Sequence, residues 1–132
     1  MSKLIKEYSY SSAAPSWSND YIWPFIQKLV TARLPAGARI IDVGCGNGTL
    51  TDKLAHMGYN VVGVDPSKTG IALARGAFPS CQFFERSAYD DLASEFGQFD
   101  AVVSLEVIEH CYAPRDFARS VHGLLRPGGT VL

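Results

Sequence analysis

The chain has 132 residues, 47% hydrophobic and 19% charged, enough apolar material for the core of one ordinary domain. A formal net charge of −1 leaves no electrostatic footprint for nucleic acid or for a membrane surface, so neither is expected as a partner; charge says nothing about the substrate, and the oligomeric state is left open. Three cysteines, Cys45, Cys81 and Cys111, are odd in number and lack metal-type pair spacing, which argues against a disulfide framework and for a reducing cytosol. No apolar run approaches the length of a bilayer span and no signal peptide stands out, so a cytoplasmic protein is expected.

Met1 to Ser18 are polar and aromatic, with Tyr8, Tyr10 and Trp17 among serines, and show no sustained period. They predict an N-terminal arm, extended to residue 22, ahead of a domain over residues 23–132. From about Trp23 the spacing of Ile22, Phe25, Ile26, Leu29 and Val30 predicts a helix with Pro24 in its first turn, stopped by Pro35-Ala36-Gly37.

The stretch Ile40-Ile41-Asp42-Val43-Gly44-Cys45-Gly46-Asn47-Gly48-Thr49-Leu50 then reads as a strand buried on both faces that breaks into glycines and restarts as a helix. Glycine at alternate positions permits positive φ and close approach of the backbone to a ligand. A helix starting near Thr49 would aim unpaired N–H groups and a positive dipole end at the same place, which suits a carboxylate or phosphate. A dinucleotide fingerprint would need a third glycine where Thr49 stands. Asp42, two places before Gly44, is suited to ordering the loop amides or meeting an amino group. Cys45 reads as a small residue in a tight turn rather than a redox thiolate.

Leu50, Leu54 and Met57 continue the helix to Gly58, and a strand over Asn60 to Val64 ends in Asp65. A carboxylate there is placed to accept hydrogen bonds from both hydroxyls of a ribose, with helix capping as the alternative for Asp65 and Ser67. A short helix through Ile71, Leu73 and Ala74 closes near Gly76, and Cys81 to Glu85 forms the third strand. Asp90 and Asp91 start a helix before Leu92 and Phe96. The fourth strand, Phe99 to Leu105, runs into Glu106-Val107-Ile108-Glu109-His110. Pro114 opens a helix with the apolar face Phe117, Val121, Leu124 and Leu125, and Arg126-Pro127-Gly128-Gly129 turns the chain into a three-residue strand, Thr130 to Leu132. This alternation predicts an α/β, Rossmann-like, doubly wound parallel sheet in the order 3-2-1-4-5.

From Ile40 to Leu132 these motifs, in this order, resemble the class I S-adenosylmethionine-dependent methyltransferases. The E-V-I-E-H and L-L-R-P-G-G stretches resemble in particular the small-molecule O-methyltransferases of ubiquinone biosynthesis. The resemblance implies S-adenosylmethionine as cofactor, with contacts at Asp42, Gly44, Cys45, Gly46, Gly48, Asp65, Pro66, Ser87, Ala88 and Leu105, and methyl transfer to a small-molecule acceptor, with oxygen as the acceptor atom. Ser87 stands where this family often has an aspartate for the adenine amino group, so Ser87 and Ala88 are the replacement contacts. The aromatic arm would close over the cofactor or pack on the surface. Because the family's remaining strands are missing, the chain is expected to be C-terminally truncated, with an exposed edge strand, self-association or marginal stability, and cofactor binding outlasting turnover.

His110 is the candidate base, since histidine as a residue type exchanges protons near neutrality, against the alternative of a plain solvent-facing side chain. Glu106, Glu109 and His110 also form an O,O,N set that one helical turn would present to a divalent cation. Similar ExxEH stretches hold metal in small-RNA 3′-terminal methyltransferases and hold none in related proteins, and no metal is assigned here. His56 and His122 have no partners suggesting chemistry. The rivals are a non-catalytic module that binds the same cofactor and a nicotinamide-dependent oxidoreductase, the latter opposed by Thr49 and the ExxEH stretch.

Overall fold

The computed structural model describes residues 17–105 and 107–132, with side chains from residue 20 onward in those ranges. The expected arm with Tyr8 and Tyr10, the Trp17 side chain and Glu106 lie outside the described residues. In chain order the elements are α1 (Trp17–Arg33), β1 (Arg39–Val43), α2 (Thr49–His56), β2 (Asn60–Asp65), α3 (Lys68–Ala77), β3 (Gln82–Glu85), α4 (Leu92–Phe96), β4 (Phe99–Val103), α5 (Pro114–Leu124) and β5 (Leu125–Val131). The five strands form one parallel sheet in the order β3-β2-β1-β4-β5, as the alternation predicts.

Alternating side chains of the strands feed two cores. Ile41, Val43, Val62 and Val64 face α4 and α5 through Leu92, Phe117, Val121 and Leu124. Ile40, Val61, Ala101 and Val103 face α1 and α2 through Ile26, Val30, Leu50 and Leu54. A third cluster joins α3 to β3 and the glycine loop through Ile71, Ala74, Phe83 and Cys45. With β1 central and covered on both faces, its carboxyl end has one outlet, the loop that follows it.

Three boundaries differ from the sequence expectation. Helix α1 begins at Trp17 rather than near Trp23, which puts Pro24 in its interior. The Asp20 carbonyl that loses its amide partner lies on an exposed stretch where water replaces it. Strand β4 ends at Val103 rather than Leu105, and Ile108–His110 form a short 3₁₀ turn rather than an α-helical one. Strand β5 starts at Leu125, not Thr130. Leu125 pairs with Phe99, Arg126 to Gly129 bulge, and pairing resumes at Thr130 with Ala101 and at Val131 with Val102. Gly128, at φ 79°, allows the bulge, and Arg126 ion-pairs with Asp100 across it.

Candidate functional site

The loop after β1 closes by bonding to β2. The amides of Gly44 and Cys45 both donate to the Val64 carbonyl, at 2.8 and 3.0 Å, and the Gly48 amide donates to the Cys45 carbonyl at 3.0 Å. Gly44, Gly46 and Gly48 take φ of 82°, 56° and 84°, values that disfavour any side chain. Two of them also lack space. A Cβ on Gly44 would overlap Val107 Cγ2, and one on Gly48 would stand 2.6 Å from Phe83 Cζ.

Asp65, nearly buried at the end of β2, accepts from the Gly46 amide at 2.9 Å and from the Ser67 amide at 2.8 Å, one on each carboxylate oxygen. Ser67 caps α3 by accepting from the Gly70 amide at 3.1 Å. Asn47 Oδ1 accepts from Thr49 Oγ1 at 2.9 Å and from the Thr49 amide at 3.3 Å. Beneath the loop, Asp42 is 2% exposed and its Oδ2 accepts from the Thr51 hydroxyl at 2.8 Å.

These bonds narrow one sequence expectation to the first turn of α2. The amides of Gly44, Cys45, Gly46, Gly48 and Thr49 all bond inside the protein, so these five donors are not bare. What the loop brings together is two carboxylates. Burial, above the neighbouring Asp65 charge and against the Thr51 hydrogen bond, pushes Asp42 up to about 7. Burial also pushes Asp65 up, opposed by the Ser67 and Gly46 amides. The Cys45 thiol is driven well above its ordinary value by burial and then by the two aspartates, so it stays protonated, as a small residue in a turn does.

The chain after β4 crosses directly over the loop through the Val107 contact on Gly44. Val107 is thereby next to the glycines, and three residues on His110 Nε2 lies 3.9 Å from Glu109 Oε1, both side chains exposed. Ser87 and Ala88 are buried in a turn on the other flank. The Ser87 amide donates to Asp90 Oδ2 at 2.8 Å and its hydroxyl accepts from the Tyr89 amide at 3.2 Å, so both groups serve the turn itself. Pro66 and Leu105 are half-buried at the same carboxyl edge. Asp91, rather than Asp90, caps α4 through Ser94. Sequence reasoning missed Thr51 and Val107, an ordinary helix threonine and a lone valine whose partners lie in other elements.

A family profile described as a methyltransferase domain matches residues 41–132, from the second residue inside the first strand's apolar run to the last. The chain belongs to the methyltransferase domain family. It is 36% identical over 108 residues to a ubiquinone biosynthesis O-methyltransferase of Ruegeria pomeroyi, covering 80% of this chain and 44% of that protein. It is 40% identical over 111 residues to the protein of the same name from Xanthomonas axonopodis pv. citri, covering 80% and 46%. This methyltransferase domain thus spans less than half the length of these curated relatives. A TehB-like SAM-dependent methyltransferase from Corynebacterium glutamicum shares the fold at a TM-score of 0.68 and 25% identity, over 89% of this chain and 73% of that one.

Proposed function

We propose that this methyltransferase domain binds S-adenosylmethionine at the carboxyl edge of β1, β2 and β4 and moves its methyl group to an oxygen of a small-molecule acceptor. The observation carrying the cofactor is the pair of buried carboxylates, Asp42 and Asp65, around a loop in which the Gly44, Cys45, Gly46, Gly48 and Thr49 amides bond inside the protein. Such a site repels a pyrophosphate and suits a ligand offering an ammonium group and hydroxyl donors. Oxygen is favoured as acceptor because the relatives at 36% and 40% identity are named O-methyltransferases.

S-adenosylmethionine supplies a methyl group on a positively charged sulfur. The protein's part is to align the reactants for an in-line displacement and to remove a proton from the acceptor. Asp65 holds the ribose hydroxyls with the acceptor capacity left on its two oxygens, and Asp42 faces the ammonium end. Pro66, Ser87, Ala88 and Leu105 border the adenine and sulfur regions. His110 takes the acceptor's proton. Turnover separates this reading from a module that binds the same ligand without chemistry. His110→Ala should lower kcat by about 10²- to 10⁴-fold with little change in cofactor affinity, and the loss should shrink as rising pH ionises the acceptor unaided. Activity that disappears in chelator would assign His110 and Glu109 to a metal instead.

A further inference from the structure

Thr51 is fully buried on the first turn of α2 and is the only side chain among the described residues that donates a hydrogen bond to Asp42. A helical threonine commonly returns its hydroxyl to the carbonyl four residues back, and a single proton cannot serve both acceptors. Here it is turned down onto β1. Space for it comes from a third element. Gly63 is Asp42's neighbour on β2, and a Cβ on Gly63 would stand 2.9 Å from Thr51 Oγ1. Asp42 is faced from β2 by Asp65, from the loop by the Cys45 thiol, from β4 by Val103, and from α2 by Thr51, so no cation among these neighbours holds it ionised.

We propose that Thr51 is a positioning residue for cofactor binding, its hydroxyl fixing the Asp42 carboxylate as an acceptor beneath the glycine loop for the ammonium group of the methyl donor; this rests on the reading of the loop as the S-adenosylmethionine site. A carboxylate has about four acceptor positions, so one donor leaves room for a second. Burial raises Asp42 to about 7 even with this hydrogen bond in place. Removing the hydroxyl therefore leaves more of the aspartate neutral at physiological pH, where it has nothing to offer a cation.

The test is calorimetric titration of the chain with S-adenosylhomocysteine, which keeps the amino-acid end, between pH 6 and pH 9, for the unmodified protein, Thr51→Val, Thr51→Ala and Thr51→Ser. If the hydroxyl is worth about one pKa unit, Thr51→Val weakens binding by about tenfold at pH 6 and by less than twofold at pH 9, while Thr51→Ser follows the unmodified profile. A merely structural role would give a loss independent of pH, and that result overturns the inference. Thr51→Ala repeats the comparison without bulk near Phe83 if the valine variant does not fold. The ¹³C-detected titration of the Asp42 carboxyl, without ligand, should move to higher pH in either variant and stay put in Thr51→Ser. Failure of the unmodified chain to bind overturns the function proposed above and the cofactor role of Thr51 with it, whereas normal binding with unshifted profiles overturns Thr51's role alone.

Discussion

Among single residues, burial raises both aspartates, so ionising either one costs the fold, and Asp65 also carries two structural hydrogen bonds. Asp42 titrates from 3.8 when unfolded to about 7 when folded. Between those values the unfolded chain has released a proton that the folded chain keeps, so rising pH favours unfolding, with no cost below about pH 4 and the full cost above about pH 7. Asp42→Asn should therefore melt higher than the unmodified protein by a margin that grows from pH 4 to pH 7, reaches a few kcal/mol at most, and is constant above. A margin independent of pH would show that Asp42 is ionised throughout. Asp65 combines a ligand role with a structural one, because its carboxylate ties Gly46 to Ser67. Asp65→Ala should weaken S-adenosylhomocysteine binding by roughly tenfold to a hundredfold and also lower stability by about 1–3 kcal/mol, as loss of charge-assisted bonds to two buried amides implies. Unchanged affinity in the folded variant would remove Asp65 from the ligand.

Among the elements, the loop is held open in shape by side chains that arrive from elsewhere. Gly44→Ala meets Val107, and Gly48→Ala meets the Phe83 ring, each on top of a positive φ. Each should cost at least about 1 kcal/mol from backbone strain alone, and Val107→Ala should recover the steric part of Gly44→Ala but not the strain. A double variant no better than Gly44→Ala, by chemical denaturation, would show that Val107 does not crowd the loop. The order of strands and helices was legible in sequence because hydrophobic period and glycine punctuation are local properties. Asp65, at the end of an apolar run, was legible for the same reason. The contact of Val107 on Gly44 and the hydroxyl of Thr51 on Asp42 were not, since each joins residues 63 and 9 positions apart in different elements. The bonding of the Gly44, Cys45 and Gly46 amides was not legible on the same ground: their acceptors are the Val64 carbonyl and Asp65, supplied by the neighbouring strand. Helix α1 began early because an exposed Pro24 leaves its lost hydrogen bond to water.

For the whole molecule, the sheet order puts β1 between β2 and β4 and leaves β3 and the bulged β5 at the edges. Central strands with both faces covered open only with global unfolding, so amides of Ile41 to Val43 and Ala101 to Val103 should exchange slowest with solvent, and those of β5 much faster. Equal protection of β5 would indicate that its edge is paired with another chain. The site sits where the slowest strands end, so the two carboxylates are held by the most stable part of the fold while Val107 and His110 approach on a more exposed segment. No described helix is long and apolar enough to cross a membrane. A paired calorimetric titration of this chain with S-adenosylhomocysteine and with NAD decides which ligand the site takes. The two buried carboxylates predict that the first binds and the second does not; binding of NAD, or of neither, would show that the Asp42 and Asp65 pair does not define a methyl-donor site.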